Sequence, residues 1–388
     1  MGSKSCAGFN FLKRKNMAFS YWESTEWFED ADFVIIGAGF VGLSAAIHSK
    51  KLHPEATVLV IERDPIGGGG SSKNAGFACF GSPSELQEDR QSLGDEHALA
   101  LVKKRWEGLK KLRLLIGDDA LGYHACGSLE LFRNQSDYHP LSPAALRDLN
   151  QWIEPVTGSS QTFVPARTED HPAIQSSNLS GALFSPLEGA LNPGKMLKAL
   201  EFKATALGIR IIHGCEVTHL GLNDEGPLIT VQRHSSDLIR LRPAQVIVAT
   251  NAFAASLLPD LDVGGKKNLV LVTAPIPEFH FTPTVHMDAG YLYARSIGQR
   301  LLLGGGRHWG IEDEETLMGA LLETMHAIWP QSANAEIEYR WSGTLGVGTQ
   351  RLPIIKRVHK QCVVAVRLGG MGVAMGIEVG REAAEMTG

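Results

Sequence analysis

The sequence predicts an α/β fold: a Rossmann-like nucleotide-binding domain joined to a second, α+β domain whose antiparallel sheet is discontinuous in the chain. Three observations carry this. The apolar run Phe33-Val34-Ile35-Ile36 leads directly into Gly37, Gly39 and Gly42, then into a helical stretch of small and apolar residues. A second apolar run over residues 57–61 ends in an acid, Glu62. Near the other end, Val363-Val364-Ala365-Val366 enters a further glycine-rich turn, residues 369–376, that opens a last helix.

The first unit has the order that a dinucleotide site requires. Gly37 allows a tight turn, Gly39 admits a pyrophosphate to the backbone, and Gly42 lets helix and strand touch. Phe40 and Val41 lie in the helix N-terminus, whose amides and partial positive charge suit phosphate. Glu62, about twenty residues past the glycines, would accept from ribose hydroxyls. The acid argues against a 2′-phosphate, and the adjacent Arg63 keeps that alternative open. The spacing alone says little: with 42 glycines in 388 residues, chance gives roughly one such triplet in every two chains. The flanking elements lift the reading above glycines that serve packing only.

Composition sets the bounds. The length suits two domains, or one large domain with an insertion. At 44% apolar and 20% charged residues, the chain has ample core for a globular protein. A net charge of −5 gives no reason to expect nucleic acid or an anionic membrane as partner. No apolar run approaches the length of a transmembrane helix. Residues 1–30 read as a partly ordered leader. Lys13, Arg14 and Lys15 are followed by no apolar segment, which argues against a signal peptide, and Trp22, Trp27 and Phe28 are expected to pack on the body. Cys6, Cys79, Cys126, Cys215 and Cys362 form no C-x-x-C pair, which fits a reducing compartment such as the cytoplasm. No cluster suggests a metal.

After Glu62, residues 67–76 read Gly-Gly-Gly-Gly-Ser-Ser-Lys-Asn-Ala-Gly. Composition alone gives a linker; position, just past the second strand, gives a second cofactor contact. Here the chain resembles the D-amino-acid oxidase and glycine oxidase superfamily of FAD-dependent oxidoreductases. Gly70, Ser71, Ser72, Asn74, Ala75 and Gly76 are similar to its G-A/S-S-x-x-N-A/G-G flavin contact.

Residues 85–117 predict a helix with an apolar stripe, and residues 127–132 a strand. Residues 188–194 (Glu-Gly-Ala-Leu-Asn-Pro-Gly) precede a helix over 195–207, with Asn192 as cap and Pro193 in the first turn. In the resemblance this element returns the chain to the flavin domain, and Val217 falls where relatives hold adenine. Residues 245–252 form a buried strand that ends at Thr250 and Asn251, residues that serve either the cofactor or the next helix as a cap. Residues 268–306 alternate as strands of an antiparallel sheet laid over the flavin, and a helix over 314–329 covers it. The C-terminal turn, with Gly370, Met371, Gly372 and Val373, is similar to the family's "GhgGhG" element facing the flavin, and Trp341-Ser342-Gly343 fits the same pattern. The expected division is 31–110, 185–260 and 341–388 for the FAD-binding domain, with 111–184 and 261–340 for the substrate domain.

The resemblance implies FAD-dependent oxidation of an amine or amino acid: hydride leaves the α-carbon, the imine hydrolyses, and oxygen or another acceptor reoxidises the cofactor. The protein anchors the substrate, usually with an arginine fork and a tyrosine. Tyr291, Tyr293 and Arg295, on one face of a strand, are candidates, with Arg307 and His308 behind them. Two departures matter. Leu345 stands where glycine oxidases place an arginine, and the form G-x-x-G-V-G-T-x-R-x-P is similar to γ-glutamylputrescine oxidases. Family members that bind flavin covalently use a Cys in the C-terminal element or a His in the N-terminal loop; here those places hold no Cys and Lys73 respectively, so the resemblance implies non-covalent FAD. A dehydrogenase serving a quinone or carrier, an FAD-binding protein without amine oxidase activity, and a homo-oligomeric state stay open.

Overall fold

The structure, a computed structural model, describes residues 19–134, 136–233 and 238–388. The earlier part of the expected leader, with Cys6 and the basic residues 13–15, lies outside them. From Ser20 a capping box starts a short helical segment: the Glu23 N–H donates to Ser20 Oγ (3.1 Å) and the Ser20 N–H to Glu23 Oε2 (2.7 Å). The helix Tyr21–Glu23 continues as the π-turn Ser24–Phe28. Phe28 packs edge-on against Phe19 at 5.1 Å, both buried. Trp22 and Trp27 are 68% and 52% exposed, contrary to expectation. The segment has one face toward the body, and Phe28 takes it.

Six strands form the nucleotide-side sheet, in the order Ile354–His359, Cys362–Val366, Gln245–Val248, Phe33–Ile36, Val58–Ile61, Arg210–Ile212. All neighbours run parallel except the first pair. Phe33–Ile36 is buried along its whole length because both faces are covered. Phe33 and Ile35 point into a layer with the helices Phe40–Leu52, Asp95–Ile116 and Gly372–Glu385. Val34 and Ile36 point the other way, onto the antiparallel meander Glu216–Asn223, Gly226–Gln232, Leu238–Leu241. Each such fully buried side chain contributes about 1.5–3 kcal/mol, so an uninterrupted apolar run is what this position demands.

The last helix docks on the Phe40–Leu52 helix through Ser44 Oγ, which donates to the Ile377 carbonyl (2.7 Å). Beside it, Glu378 accepts from Lys111 Nζ (2.7 Å) and Arg381 Nε (3.0 Å). Burial pushes the Glu378 carboxyl up, but the hydrogen bonds from Arg381 and Lys111 outweigh it and bring the group down to about 2. A depressed carboxyl stabilises the fold above its unfolded value, roughly 4.3, and loses that contribution as pH falls toward 2. Glu378→Gln is therefore expected to lower the melting temperature at neutral pH. The gap from wild type should close on acidification between about pH 5 and 2, as thermal melts at several pH values would show.

The second sheet has eight strands, in the order Ile337–Val347, Gly264–Thr273, Arg300–Gly305, Leu292–Ile297, Thr284–Met287, Ser128–Arg133, Leu179–Ser185, Val164–Ala166. Only Thr284–Met287 and Ser128–Arg133 pair in parallel. The helix Glu314–Ile328 covers one face, and the fully buried Trp329 stacks on Phe281 (5.7 Å) in that core. Ile337–Val347 runs through the expected boundary at residue 341 and pairs with Gly264–Thr273 throughout. The expected helix over 85–117 is two, Pro83–Leu93 and Asp95–Ile116, because Gly94 sits at φ +78° between them.

Candidate active site

The first glycine turn is as tight as its spacing suggests. Gly37 has φ +102°. A Cβ at Gly42 would stand 1.8 Å from the Gly37 carbonyl oxygen and 3.3 Å from Ile35 Cγ2, so the helix meets the turn backbone to backbone and the strand through Ile35. Gly42 therefore serves the approach of the two elements rather than a cavity wall. The Ala38 N–H donates to Glu62 Oε2 (2.8 Å) and the Asp64 N–H to Oε1 (3.0 Å), which fixes the carboxylate at the end of the second strand. At the helix N-terminus, the Phe40 N–H donates to Ser71 Oγ (3.0 Å). Absence of a side chain at Gly39 is what admits that hydroxyl, 2.9 Å from where a Cβ would lie.

These groups open on a cavity of about 150 Å³. Gly37, Gly39, Phe40, Val41, Glu62 and Arg63 line it, with Gly70, Ser71 and Asn74 from the glycine-rich loop. Val217, Thr250 and Asn251 line it from the far side, and Gly370, Gly372 and Val373 from the C-terminal turn. Arg63 lies over Phe253, 3.9 Å from the ring centre, with Glu216 at 3.9 Å. Asn251 caps no helix: its Oδ1 accepts from the Arg367 N–H (3.0 Å) and ties this wall to the end of the last strand. Thr250 Oγ1 is buried with no partner among the described residues. A helix N-terminus, a fixed acid one strand over and an orphaned hydroxyl fit a dinucleotide such as FAD.

The loop over 67–76 holds itself together. Asn74 Nδ2 donates to the Ser71 carbonyl (2.8 Å) and its Oδ1 accepts from the Gly76 N–H (2.9 Å). Ser72 does not reach a cavity; its hydroxyl donates to the Gly67 and Gly69 carbonyls. Arg295 also departs from expectation. Its Nη1 donates to the carbonyls of Ala75 (3.2 Å), Gly76 (3.0 Å) and Leu191 (2.9 Å), and it lines neither cavity. It shares a strand face with Tyr293, but at its end of the strand three carbonyls meet the guanidinium first. Arg295→Met should lower stability by about 2–3 kcal/mol, the cost of stranding part-buried carbonyls, while leaving substrate KM unchanged. Denaturant melts alongside steady-state kinetics check this.

A second cavity, of about 510 Å³, adjoins the first and shares Gly70, Asn74, Leu345, Leu368, Gly370 and Val373 with it. Lys73, Ala75, Gly76, Gly343 and Met371 are on its wall, as are Tyr291, Tyr293, Arg307 and His308. Tyr293 fits because its cross-strand partner is Gly304: a Cβ there would be 2.5 Å from the ring. Desolvation pushes its hydroxyl up to about 12. Arg307 lies over the Tyr291 ring at 4.5 Å, and His308 stacks on the same ring at 5.0 Å. His308 Nε2 is 3.2 Å from Asp288 Oδ2. Tyr291 Oη accepts from Arg351 Nη2 (2.8 Å), while Arg351 is neutralised by Glu88 and by Asp89 (3.3 Å). Arg105 is paired in turn with Asp89 (3.0 Å) and Glu85 (3.4 Å). Arg307 makes no hydrogen bond or ion pair among the described residues. Burial pulls its guanidinium below the usual arginine range.

Sequence reasoning missed Arg351, Glu85, Arg105 and His286 in this wall. Arg351 carried a signal, the R of the G-V-G-T-x-R-x-P run; the other three come from elements that only the fold brings here. Cys79 also lines the cavity, and burial pushes its thiol well above the usual value. Cys79, Cys126, Cys215 and Cys362 are all unpaired. Among the described residues no group of His, Cys, Asp and Glu is arranged to hold a metal, and no helix is long and apolar enough to cross a membrane.

The family described as DAO, FAD dependent oxidoreductase, matches residues 32–386. The chain is 24% identical to the probable oxidoreductase OrdL of Haemophilus influenzae, covering 97% of this chain and 86% of that one. It is 23% identical to the γ-glutamylputrescine oxidoreductase of Escherichia coli K12, with coverages of 92% and 83%. Among solved structures, L-proline dehydrogenase from P. horikoshii superposes with a TM-score of 0.72 at 19% identity, covering 92% of this chain and 93% of that one.

Proposed function

This chain belongs to the DAO family of FAD-dependent oxidoreductases, and we propose that it oxidises an amine bearing a carboxylate, an amino acid or N-substituted amino acid. The observation that carries the reading is Arg307. It is a part-buried guanidinium with no anionic partner among the described residues, over Tyr291 in a 510 Å³ cavity that opens onto the nucleotide cavity. Partial desolvation of an unpaired cation is unfavourable, and a substrate carboxylate would offset that cost.

FAD, held non-covalently by the residues of the first cavity, supplies the two-electron acceptor for the hydride leaving the substrate α-carbon. The chain's own residues bind, orient and enclose. Arg307 forks onto the carboxylate, the Tyr291 ring supports Arg307, His308 stacks on Tyr291, and Asp288 fixes His308. Leu345, in both walls, keeps the junction between the cavities apolar and excludes water from the reacting carbon. The imine product hydrolyses in solution. Oxygen, or a quinone or carrier, takes the electrons.

Anaerobic spectra of the purified protein test this. Glycine, sarcosine, D-alanine, D-proline, L-proline and γ-glutamylputrescine are added in turn. Bleaching of the yellow flavin by a carboxylate-bearing amine is the expected result, and admitting air then reads out the acceptor. A yellow protein that none of them bleaches would sink the substrate reading. A colourless one that takes up no FAD would sink the cofactor fit.

A further inference from the structure

His286 is the one imidazole in the wall of the larger cavity that is almost wholly buried, 4% exposed, and its Nε2 has no hydrogen-bond partner among the described residues. A buried polar nitrogen left unpaired is rare and costly. The ring is fixed edge-on against Phe77 at 5.0 Å. Its two nitrogens face different neighbours. Nδ1 lies at the cavity side, 3.8 Å from where a Cβ of Gly290 would stand. Nε2 points inward, 3.8 Å from Glu188 Oε2. Glu188 is fully buried and lies behind the wall, where it accepts from the Phe80 N–H (2.8 Å), the Gly81 N–H (3.2 Å) and the Ser128 hydroxyl.

Resting on the amine-oxidation reading above, we propose that His286 is the catalytic proton acceptor for the substrate ammonium, and that Glu188 receives the proton through it. An ammonium has no lone pair, so hydride cannot leave its α-carbon as an imine forms until one N–H proton is gone. In the step proposed, a substrate N–H bond breaks and an Nδ1–H bond forms. The Nε2–H bond breaks in concert and its proton joins Glu188 Oε2. The substrate becomes a neutral amine, Glu188 a neutral acid, and the imidazole only exchanges tautomers. No oxidant is consumed, and closing the 3.8 Å gap takes a side-chain movement of under about 1 Å to reach hydrogen-bond length.

The surroundings suit this. Burial holds His286 in the neutral form, its imidazolium pulled down to about 4. Burial also pushes the Glu188 carboxyl up to about 7, against the bonds from Ser128, Phe80 and Gly81. The other groups that face the ring are Glu130 and Tyr293, its cross-strand partners, with Cys79 and Glu85 on the same wall. Arg105 and Arg307 lie elsewhere in the cavity lining. Glu130 is also pushed to about 7, but it is occupied by Ser82 (2.8 Å) and Ser84 (3.0 Å) rather than by the imidazole.

The test is the rate of anaerobic flavin reduction against pH, on holoenzyme, with a bleaching amine from the panel. Glu188 accepts only when ionised, so the wild-type rate should rise through about 7 and level off. Histidine→Asn at 286 (H286N) and Glu188→Gln should each cost about 100-fold near neutral pH, the usual contribution of a positioned base. They should also move the rise toward the amine's own ionisation, roughly 8–10. Glu130→Gln should keep the wild-type limb. A second readout is infrared: one carboxylic-acid C=O band, absent in E188Q, should vanish in wild type with the same midpoint as the rate. This band serves even where substitution at 286 unfolds the chain. A flat wild-type profile between about pH 6 and 8, wild-type profiles in both variants, or a band that does not titrate with the rate would each overturn the relay alone. Failure of every amine to bleach the flavin at any pH would overturn the relay together with the reading it rests on.

Discussion

Gly42→Val is expected to yield a protein without bound FAD and less stable by about 3 kcal/mol or more. The first atom of any side chain there would lie 1.8 Å from the Gly37 carbonyl oxygen and 3.0 Å from its carbon, both backbone atoms of the turn itself. A flexible side chain could swing aside; the turn cannot, because the Gly37 N–H is bonded to the Ile61 carbonyl (2.8 Å). Relief requires the Phe40–Leu52 helix to lift from the sheet. That carries the Phe40 amide away from Ser71 and removes the Ala38 amide from Glu62, so the phosphate end and the ribose end of the site fail together. Flavin absorbance and denaturant melts measure both losses. Gly319→Ala, on the helix Glu314–Ile328 with nothing within 4 Å, is the control. It should stabilise by about 0.5–1 kcal/mol. A yellow, wild-type-stable G42V would refute the close-approach account.

Arg307→Met is expected to raise KM for a carboxylate-bearing substrate by about 100-fold or more while leaving FAD binding intact. Truncating one member of a hydrogen-bonded charge pair withdrawn from bulk water costs about 2–5 kcal/mol, and the part-buried Arg307 is expected at the lower end of that range. Methionine preserves much of the packing over Tyr291, so the loss isolates the charge. The informative comparison is a matched amine lacking the carboxylate. It should bind wild type weakly and R307M about equally, since with it Arg307 has nothing to grip. Equal losses for both amines would mean that Arg307 holds the cavity wall rather than the substrate. Arg351, paired with Glu88 and Asp89 and bonded to Tyr291 Oη, cannot substitute for it without giving up those partners.

The nucleotide half of the site was legible in the sequence because its geometry is local. Phe33–Ile36, the three glycines and Glu62 lie within thirty residues or so, and the requirement at each position is a backbone one: a turn that needs positive φ, a contact that excludes Cβ, an acid at a strand end. The C-terminal turn could be read for the same reason. Even there, Thr250 and Asn251 were ambiguous until the fold showed Asn251 Oδ1 reaching the backbone at Arg367.

The substrate half was not legible in that way. Strand alternation grouped Tyr291, Tyr293 and Arg295; it holds for Tyr293 and Arg295, whereas Tyr291 stands in the turn just before the strand Leu292–Ile297. What each side chain meets depends on elements far off in the chain. Arg295 meets the carbonyls of Ala75, Gly76 and Leu191, whereas Tyr293 meets the space left by Gly304. Nothing in the order of residues marks Glu85, Arg105 or Arg351 as one charge cluster, because their pairing is set by packing the helices Pro83–Leu93 and Asp95–Ile116 against the turn after Ile337–Val347. That pairing in turn decides which arginine is left over. The sequence by itself determined the fold and the cofactor class, since both rest on backbone needs that neighbouring residues disclose. Tertiary structure alone decided that Arg307 is the unpaired cation and that His286 stands against Glu188, since charge balance and burial belong to a site assembled from residues 85 to 351.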